Sequence, residues 1–356
     1  MSEAGIQRDL RFLASELPHR GANTDSERAA ADYIQKRFHE YTPDASLDDF
    51  YSIESYYHLF ASYYAEFAIV AVVAFWSPLV ALVYGAVVLL AYLFEFLGYH
   101  TFSLLLPQYE TQNVMAQFLA TDPKQVFVVS AHYDSPRDGM FTHPHFVPWL
   151  RTAHLAITAC MALVVISCAT ETVGIFDGFS IPVDLVARWT AVGVLLSAAF
   201  VFFYSAMNCD YVRGANGNAS GVAALINLAE RLAENPIEQA DVCLLATGSK
   251  DSWMNGIRHF IKGHTLDRDY TYFLNIENVG AGELHYTVEE GMLQTMPSAP
   301  ELVRAAEAAA GKHGAKPCGL RTVPTDAQIP LARGFRAMSI VALDAEGVPR
   351  DWHWYT

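Results

Sequence analysis

Charge is what this chain has least of. Aspartate, glutamate, lysine and arginine together make up 17% of its 356 residues, against about 25% in an average soluble domain. The shortage is concentrated, because residues 67–94, 152–170 and 189–208 contain no charged side chain at all. Apolar runs of this length exclude an ordinary water-soluble globule and point to membrane insertion. Positive charge is scarcer still: 23 lysines and arginines face 38 acids, a net charge of −15. With no cationic surplus to neutralise phosphates, nucleic acid is excluded as a partner. The five cysteines (Cys160, Cys168, Cys209, Cys243 and Cys318) form no C-x-x-C pair, so neither a zinc knuckle nor a disulfide framework is expected. The first residues lack the continuous apolar stretch of a secretory leader, and no lipidation motif is expected at either end.

The apolar runs divide into two pairs of spans. The first covers residues 56–75 and 79–97, split at Ser77-Pro78, where proline suits the first turn of a new helix. The competing reading is one kinked helix. The second pair covers 148–170 and 185–207, separated by the polar loop 171–184 with three acids and no lysine or arginine. Four spans return the chain to its starting side. Arg137, Arg151 and Arg213 lie near span ends on the side of the polar segments and only Arg188 on the other, which leans toward a cytoplasmic α/β domain. Glu66 falls either at mid-depth, where an acid needs a partner, or at the interface among Tyr63 and Tyr64.

Outside the spans the pattern is α/β. Residues 6–16, 26–41, 219–233 and 300–313 have helical apolar spacing. Short apolar runs at 125–130, 242–247, 272–276 and 338–343 read as buried strands, and their alternation with helices predicts a sheet covered on both faces. Polar residues follow most of these strands, at the end where an open α/β sheet builds its site.

Several segments carry a resemblance: LASELPHRGANTDSERAAADYI, NVMAQF, SAHYDSPRDG, RGANGNASGVAALINLAE, ATGSKDSWMNGIRHFI, FLNIENVGAGELHY, TDAQIPLARGF and a terminal WHWYT. In this order they resemble the M28 family of zinc aminopeptidases, whose fold is shared by glutaminyl cyclases and by the non-catalytic transferrin receptor ectodomain and nicastrin. The resemblance implies an α/β/α sandwich with a mixed, mostly parallel sheet. It would be assembled from residues 1–55, 108–147 and 208–356, with inserted transmembrane hairpins at 56–98 and 148–207. Each insertion must then leave and return on one side, because both flanks belong to one sheet. In the family, further residues and a closing helix follow the segment that ends here at Thr356.

The resemblance also implies a degenerate metal site. His132 and Asp134 match the family's H-x-D element, in which the aspartate orients the imidazole. The bridging aspartate that follows Gly-Ala-Asn is here Gly217. The Glu-Glu pair supplying general base and ligand is here Lys250 and Asp251, and an ammonium neither accepts a proton from water nor tolerates a nearby dication. Glu277 stands for the next aspartate. The Ser-Asp-His element carrying the second histidine becomes Thr325-Asp326-Ala327, and alanine cannot ligate. His132, Asp251 and Glu277 remain as the residues able to hold an ion. His143, His145, His259, His264 and His285 are more simply hydrogen-bonding or packing residues.

Two functions follow. The first is a membrane-embedded pseudopeptidase without a cofactor, a scaffold or binding subunit among other membrane proteins, in which Lys250 replaces the metal charge beside Asp134, Asp251 and Glu277. The bland reading of Lys250 is a solvated side chain outside the cleft. The alternative function is an active zinc aminopeptidase with a single-metal or rearranged site, favoured by fold and by His132-x-Asp134 alone.

Overall fold

The computed structural model describes residues 3–174 and 181–355. Residues 175–180, within the expected polar loop 171–184, and Thr356 lie outside the described residues. The chain divides into two compact units. One comprises Met1–Glu54, Gln108–Leu150 and Asp210–Thr356, the other Ser55–Pro107 and Arg151–Cys209.

The first unit is α/β. Among the described residues one sheet has nine strands: β1 (Ala45–Ser52), β2 (Tyr109–Phe118), β3 (Gln125–His132), β4 (Ala240–Thr247), β5 (Thr271–Glu277), β6 (Glu283–Glu290), β7 (Met296–Pro297), β8 (Lys316–Leu320) and β9 (Arg336–Leu343). Their order is β1-β2-β4-β3-β5-β9-β6-β7, with β8 beside β6. The central run β4-β3-β5-β9 is parallel, and β1, β2 and β6 pair antiparallel at its flanks. Helices follow as α1 (Glu3–Arg11), α2 (Asp25–His39), α3 (Tyr56–Val73), α4 (Pro78–Phe96), α5 (Leu150–Thr172), α6 (Ile181–Asn208), α7 (Ser220–Glu234), α8 (Asn255–Gly263), α9 (Pro300–His313) and α10 (Gln328–Ala332).

Local chemistry explains the ends of these helices. The Thr24 hydroxyl accepts from Glu27 N and caps α2, whose first turn is acidic and last turn basic, matching the helix dipole. Proline opens α9, and Gly314, at φ +72°, closes it. The amphipathic face of α7 (Val222, Leu225, Ile226, Ala229) packs with Ala30, Ile34 and Phe38 of α2 and with Val129, Leu244 and Ala246 of the central strands. The helix expected over 6–16 ends sooner, at Arg11, and the chain continues as a wider π-helical turn, Phe12–Glu16.

The second unit is helical. α3 and α4 are separate helices, and Pro78 stands at the first position of α4. Phe60, Tyr64, Tyr92, Phe96, Phe202 and His154 form an aromatic cluster inside it, with Phe60 edge to face on Tyr92 and His154, and Tyr64 edge to face on Phe202. Gly85 lets helices approach closely, since a Cβ there would sit 2.9 Å from Val70 and 3.2 Å from Val165. Large apolar side chains such as Leu79, Val83, Val87, Leu90, Leu163 and Phe200 are exposed, the reverse of a water-soluble bundle.

Among the described residues three helical stretches are long and apolar enough to cross a membrane: Pro78–Phe96, Val147–Thr172 and Leu185–Asn208. The expected first span forms α3, but its tyrosines, His58 and Glu66 keep it out of that class. Glu66 accepts from the Tyr84 hydroxyl on α4, the partner that an acid on an apolar helix needs.

At the end of β4, the residue that starts the turn toward Lys250 must be glycine. A Cβ on Gly248 would collide with the Gln112 carbonyl oxygen. Gly248→Ala is expected to lower the stability of the α/β unit by ~1–3 kcal/mol, read as a lower midpoint in denaturant at unchanged slope.

Candidate functional site

Four parallel strands end together, and the loops leaving them carry the site. His132 and Glu277 are the last residues of β3 and β5, while Lys250 and Asp251 lie in the turn after β4. Asp326 and Ala327 precede α10, and Gly217 precedes α7. The turn after β4 is held from below. Ser249, at φ +50°, donates its N–H to Glu27 Oε1 at 3.0 Å, and Gly248 N donates to Asn113 Oδ1 at 3.2 Å. Burial pushes the Glu27 carboxyl up to about 8, with Asp134 adding to the effect.

His132, Asp134, Lys250, Asp251, Glu277 and Asp326 are all buried. Lys250 Nζ lies 3.2 Å from Glu277 Oε1 and 3.7 Å from Asp251 Oδ1, so it is not a solvated side chain. His132 Nε2 is 3.1 Å from the same Glu277 oxygen, and its Nδ1 is 3.3 Å from Asp134 Oδ1. Asp134 Oδ2 accepts from Asp251 N at 2.8 Å, joining the two loops. The Trp352 ring covers the ammonium, 5.8 Å from Nζ.

Burial opposes every charge here, and the partners override it. Burial works against the Lys250 ammonium, but Glu277 and Asp251 hold its pKa above the ordinary value. Burial is the largest influence on His132 and works against its charge, but Glu277 and Asp134 together outweigh it and lift the imidazole to about 10. Burial alone would raise Glu277, yet Lys250 and then His132 draw it down to about 2. Asp251 is likewise held low, against burial, by His353 and Lys250. Asp326 behaves differently: burial raises it to about 7, and it accepts from the Thr247 hydroxyl.

Two further residues belong to this site. His353 Nε2 lies 3.0 Å from Asp251 Oδ1, and the imidazole is buried. The second histidine expected at position 327, where Ala327 stands, is therefore not missing from the pocket. The Trp352-His353 dipeptide of the terminal segment supplies it, and that dipeptide was the signal in the sequence. The other is Arg20, fully buried, whose guanidinium donates to the carbonyls of Leu13, Tyr133, Arg213 and Gly214. Burial lowers its pKa to about 10, leaving it a cation that interacts with Asp134 and Asp251. At Gly217 no side chain points inward, and a Cβ there would meet Asn278 Oδ1 at 2.9 Å.

Among the described residues one group has metal-binding geometry: His132, Asp134 and Asp251 each offer a ligand atom, all within 4.8 Å of one another. Glu277, expected in the ligand set, is instead engaged by Lys250 and His132. The other histidines lie elsewhere: His259 Nε2 is 3.2 Å from Asp48, His264 and His285 bond to the carbonyls of Phe260 and Glu283, and His143 packs on Trp354. His145 N donates to His143 Nδ1 at 3.3 Å.

Residues 195–355 match the family model of Peptidase family M28. Solved structures share the fold. A zinc aminopeptidase from Bacillus subtilis superimposes with a TM-score of 0.55 at 13% identity, over 99% of this chain and 88% of that one. A glutaminyl cyclase from Bacteroides thetaiotaomicron, bound to N-acetylhistamine, gives 0.54 at 14% identity over 99% and 89%. A leucine aminopeptidase precursor from the same organism gives 0.52 at 14% over 99% and 88%. At such identities the likeness is one of fold, that of zinc aminopeptidases and glutaminyl cyclases. No curated protein sequence matches this chain.

The raised imidazole has a consequence for stability. His132 gains a proton-dependent partner on folding, so its contribution is complete below pH 6.5 and is lost as pH rises through about 10. Denaturant unfolding of the wild type is expected to show stability falling across that window. His132→Gln should flatten the fall, and an unchanged slope in the variant would contradict the assignment.

Proposed function

We propose that this chain is a membrane-anchored member of the M28 lineage that does not hydrolyse peptides and serves as a scaffold or binding subunit of a membrane complex. The observation that carries the reading is the Lys250 ammonium, 3.2 Å from Glu277 and 3.7 Å from Asp251. By resemblance, that position belongs to the general base beside a pair of zinc ions. A fixed cation there repels dications and cannot take a proton from water. Gly217 offers no bridging carboxylate, and the Asn278 amide oxygen lies 2.9 Å from where the Cβ of such a side chain would sit. The donor set therefore does not fit paired zinc. The charges balance without it: Asp134, Asp251 and Glu277 face Lys250, protonated His132 and Arg20.

The apolar helices support the membrane anchor. Four crossings are proposed, with α3 as the fourth, because the α/β unit's sheet uses strands from both sides of each insertion, which requires an even number in each. A cytoplasmic location of the α/β unit and association with other membrane proteins belong to the same proposal.

A second reading is a single-metal aminopeptidase, favoured by the grouping of His132, Asp134 and Asp251. Elemental analysis of detergent-purified protein, combined with hydrolysis of aminoacyl reporters, separates the two. The pseudopeptidase should carry only trace zinc and leave the reporters intact. Stoichiometric zinc with hydrolysis abolished by chelation and by His132→Ala would overturn it.

A further inference from the structure

The connections of the α/β sheet have a direction. β1 and β2 are antiparallel with Ser52 opposite Tyr109, so the chain leaves for residues 55–107 and returns at neighbouring positions on one end of the sheet. Val114 of β2 lies opposite Ala246 of β4, and Thr247 of β4 lies beside His132 of β3. This is therefore the end at which the parallel strands terminate and the pocket stands.

The second excursion has its roots at the same end. It leaves after β3, and its two flanks are bonded to each other: Asp138 N donates to Asp210 O, and Val212 N to Pro136 O, both at 2.9 Å. The segment leading to it rests on the chain's terminal segment. The His143 ring is 4.8 Å from that of Trp354, and the Tyr355 hydroxyl donates to Asp138 Oδ2 at 2.6 Å. Trp352, two residues before Trp354, is the side chain that covers Lys250.

Large aromatic side chains stand in the open at these roots. Tyr51 and Trp149 are each 65% exposed, and Phe146 and Tyr109 about half exposed. Tyrosine and tryptophan gather at the membrane–water interface, where an apolar ring with a polar edge is favoured. Exposed apolar residues also occur at the opposite end, where Leu119 follows β2 and Ile237 and Tyr270 precede β4 and β5. Tyr109 and Leu119 bracket one strand and so lie about 30 Å apart at ~3.3 Å per residue.

We propose that the pocket end of the α/β unit lies against the lipid headgroup layer, with Tyr51, Tyr109, Phe146 and Trp149 seated in it, and that the opposite end faces bulk water. The proposal rests on the membrane reading above and adds a partner surface to it. A ligand of the pocket then approaches along the membrane face.

The test is lipid photocrosslinking of the full chain in nanodiscs, with p-benzoyl-phenylalanine placed singly at each of these four positions. Leu119, Ile237 and Tyr270 are the water-end controls, and Leu90 on α4 is the membrane control. Lipid adducts, read by mass spectrometry, are expected from the four rim positions and from Leu90 and not from the three water-end positions. Adducts from Leu90 without adducts from the rim would overturn the orientation while leaving the anchor intact. Absence of adducts at Leu90 together with detergent-free solubility would overturn the membrane reading itself.

Discussion

Three carboxylates buried at the ends of parallel strands need matching positive charge, and the rest of this site follows from that requirement. Desolvation penalises each ionised group by several kcal/mol unless partners compensate. Asp134, Asp251 and Glu277 are almost completely buried. Lys250 meets two of them directly, His132 bridges Glu277 and Asp134, and Arg20 adds its field from the next layer. The cation that balances the acids is thus covalently part of the chain.

That arrangement constrains the backbone. Lys250 reaches inward only because the turn after β4 is tight, with glycine at 248 and a left-handed Ser249 held by buried Glu27. The same turn is tied to the first insertion's root, since Asn255 Nδ2 donates to Ser52 Oγ at 2.8 Å and Ser252 Oγ to Glu54 O at 3.2 Å. Charge balance in the pocket and the exits toward the apolar helices therefore share one set of loops. On the proposed membrane reading, a sheet that takes strands from both sides of two insertions accepts membrane segments only in pairs.

Much of this was legible in the sequence. β3, β4, β5 and β9 are covered on both sides and so appear as continuous apolar runs, and α9 was readable from Pro300 to His313. β1 was not, because an edge strand reading Ala-Ser-Leu-Asp-Asp-Phe-Tyr-Ser is half solvated and has no apolar run. β8 is short and exposed, and β6 (Glu-Leu-His-Tyr-Thr-Val-Glu-Glu), though paired on both sides, has no apolar run either. The ion pair of Lys250 was readable because a carboxylate-rich pocket without a cation is untenable. His353 was not assigned, because its partner Asp251 lies a hundred residues earlier and only the fold brings the terminal segment back. Arg20 and Glu27 look like surface residues of a polar N-terminal segment until the strands close over them.

The central claim is that Lys250 carries the charge that holds the pocket together. A double-mutant cycle on Lys250 and Glu277, read by equilibrium unfolding of metal-free protein, tests it most directly. Lys250→Met alone should cost ~3–5 kcal/mol by leaving Glu277 and Asp251 uncompensated. Glu277→Gln should then cost far less in that background than in the wild type, since the two side chains are coupled. Strictly additive losses, or a Lys250→Met protein as stable as the wild type, would contradict the account.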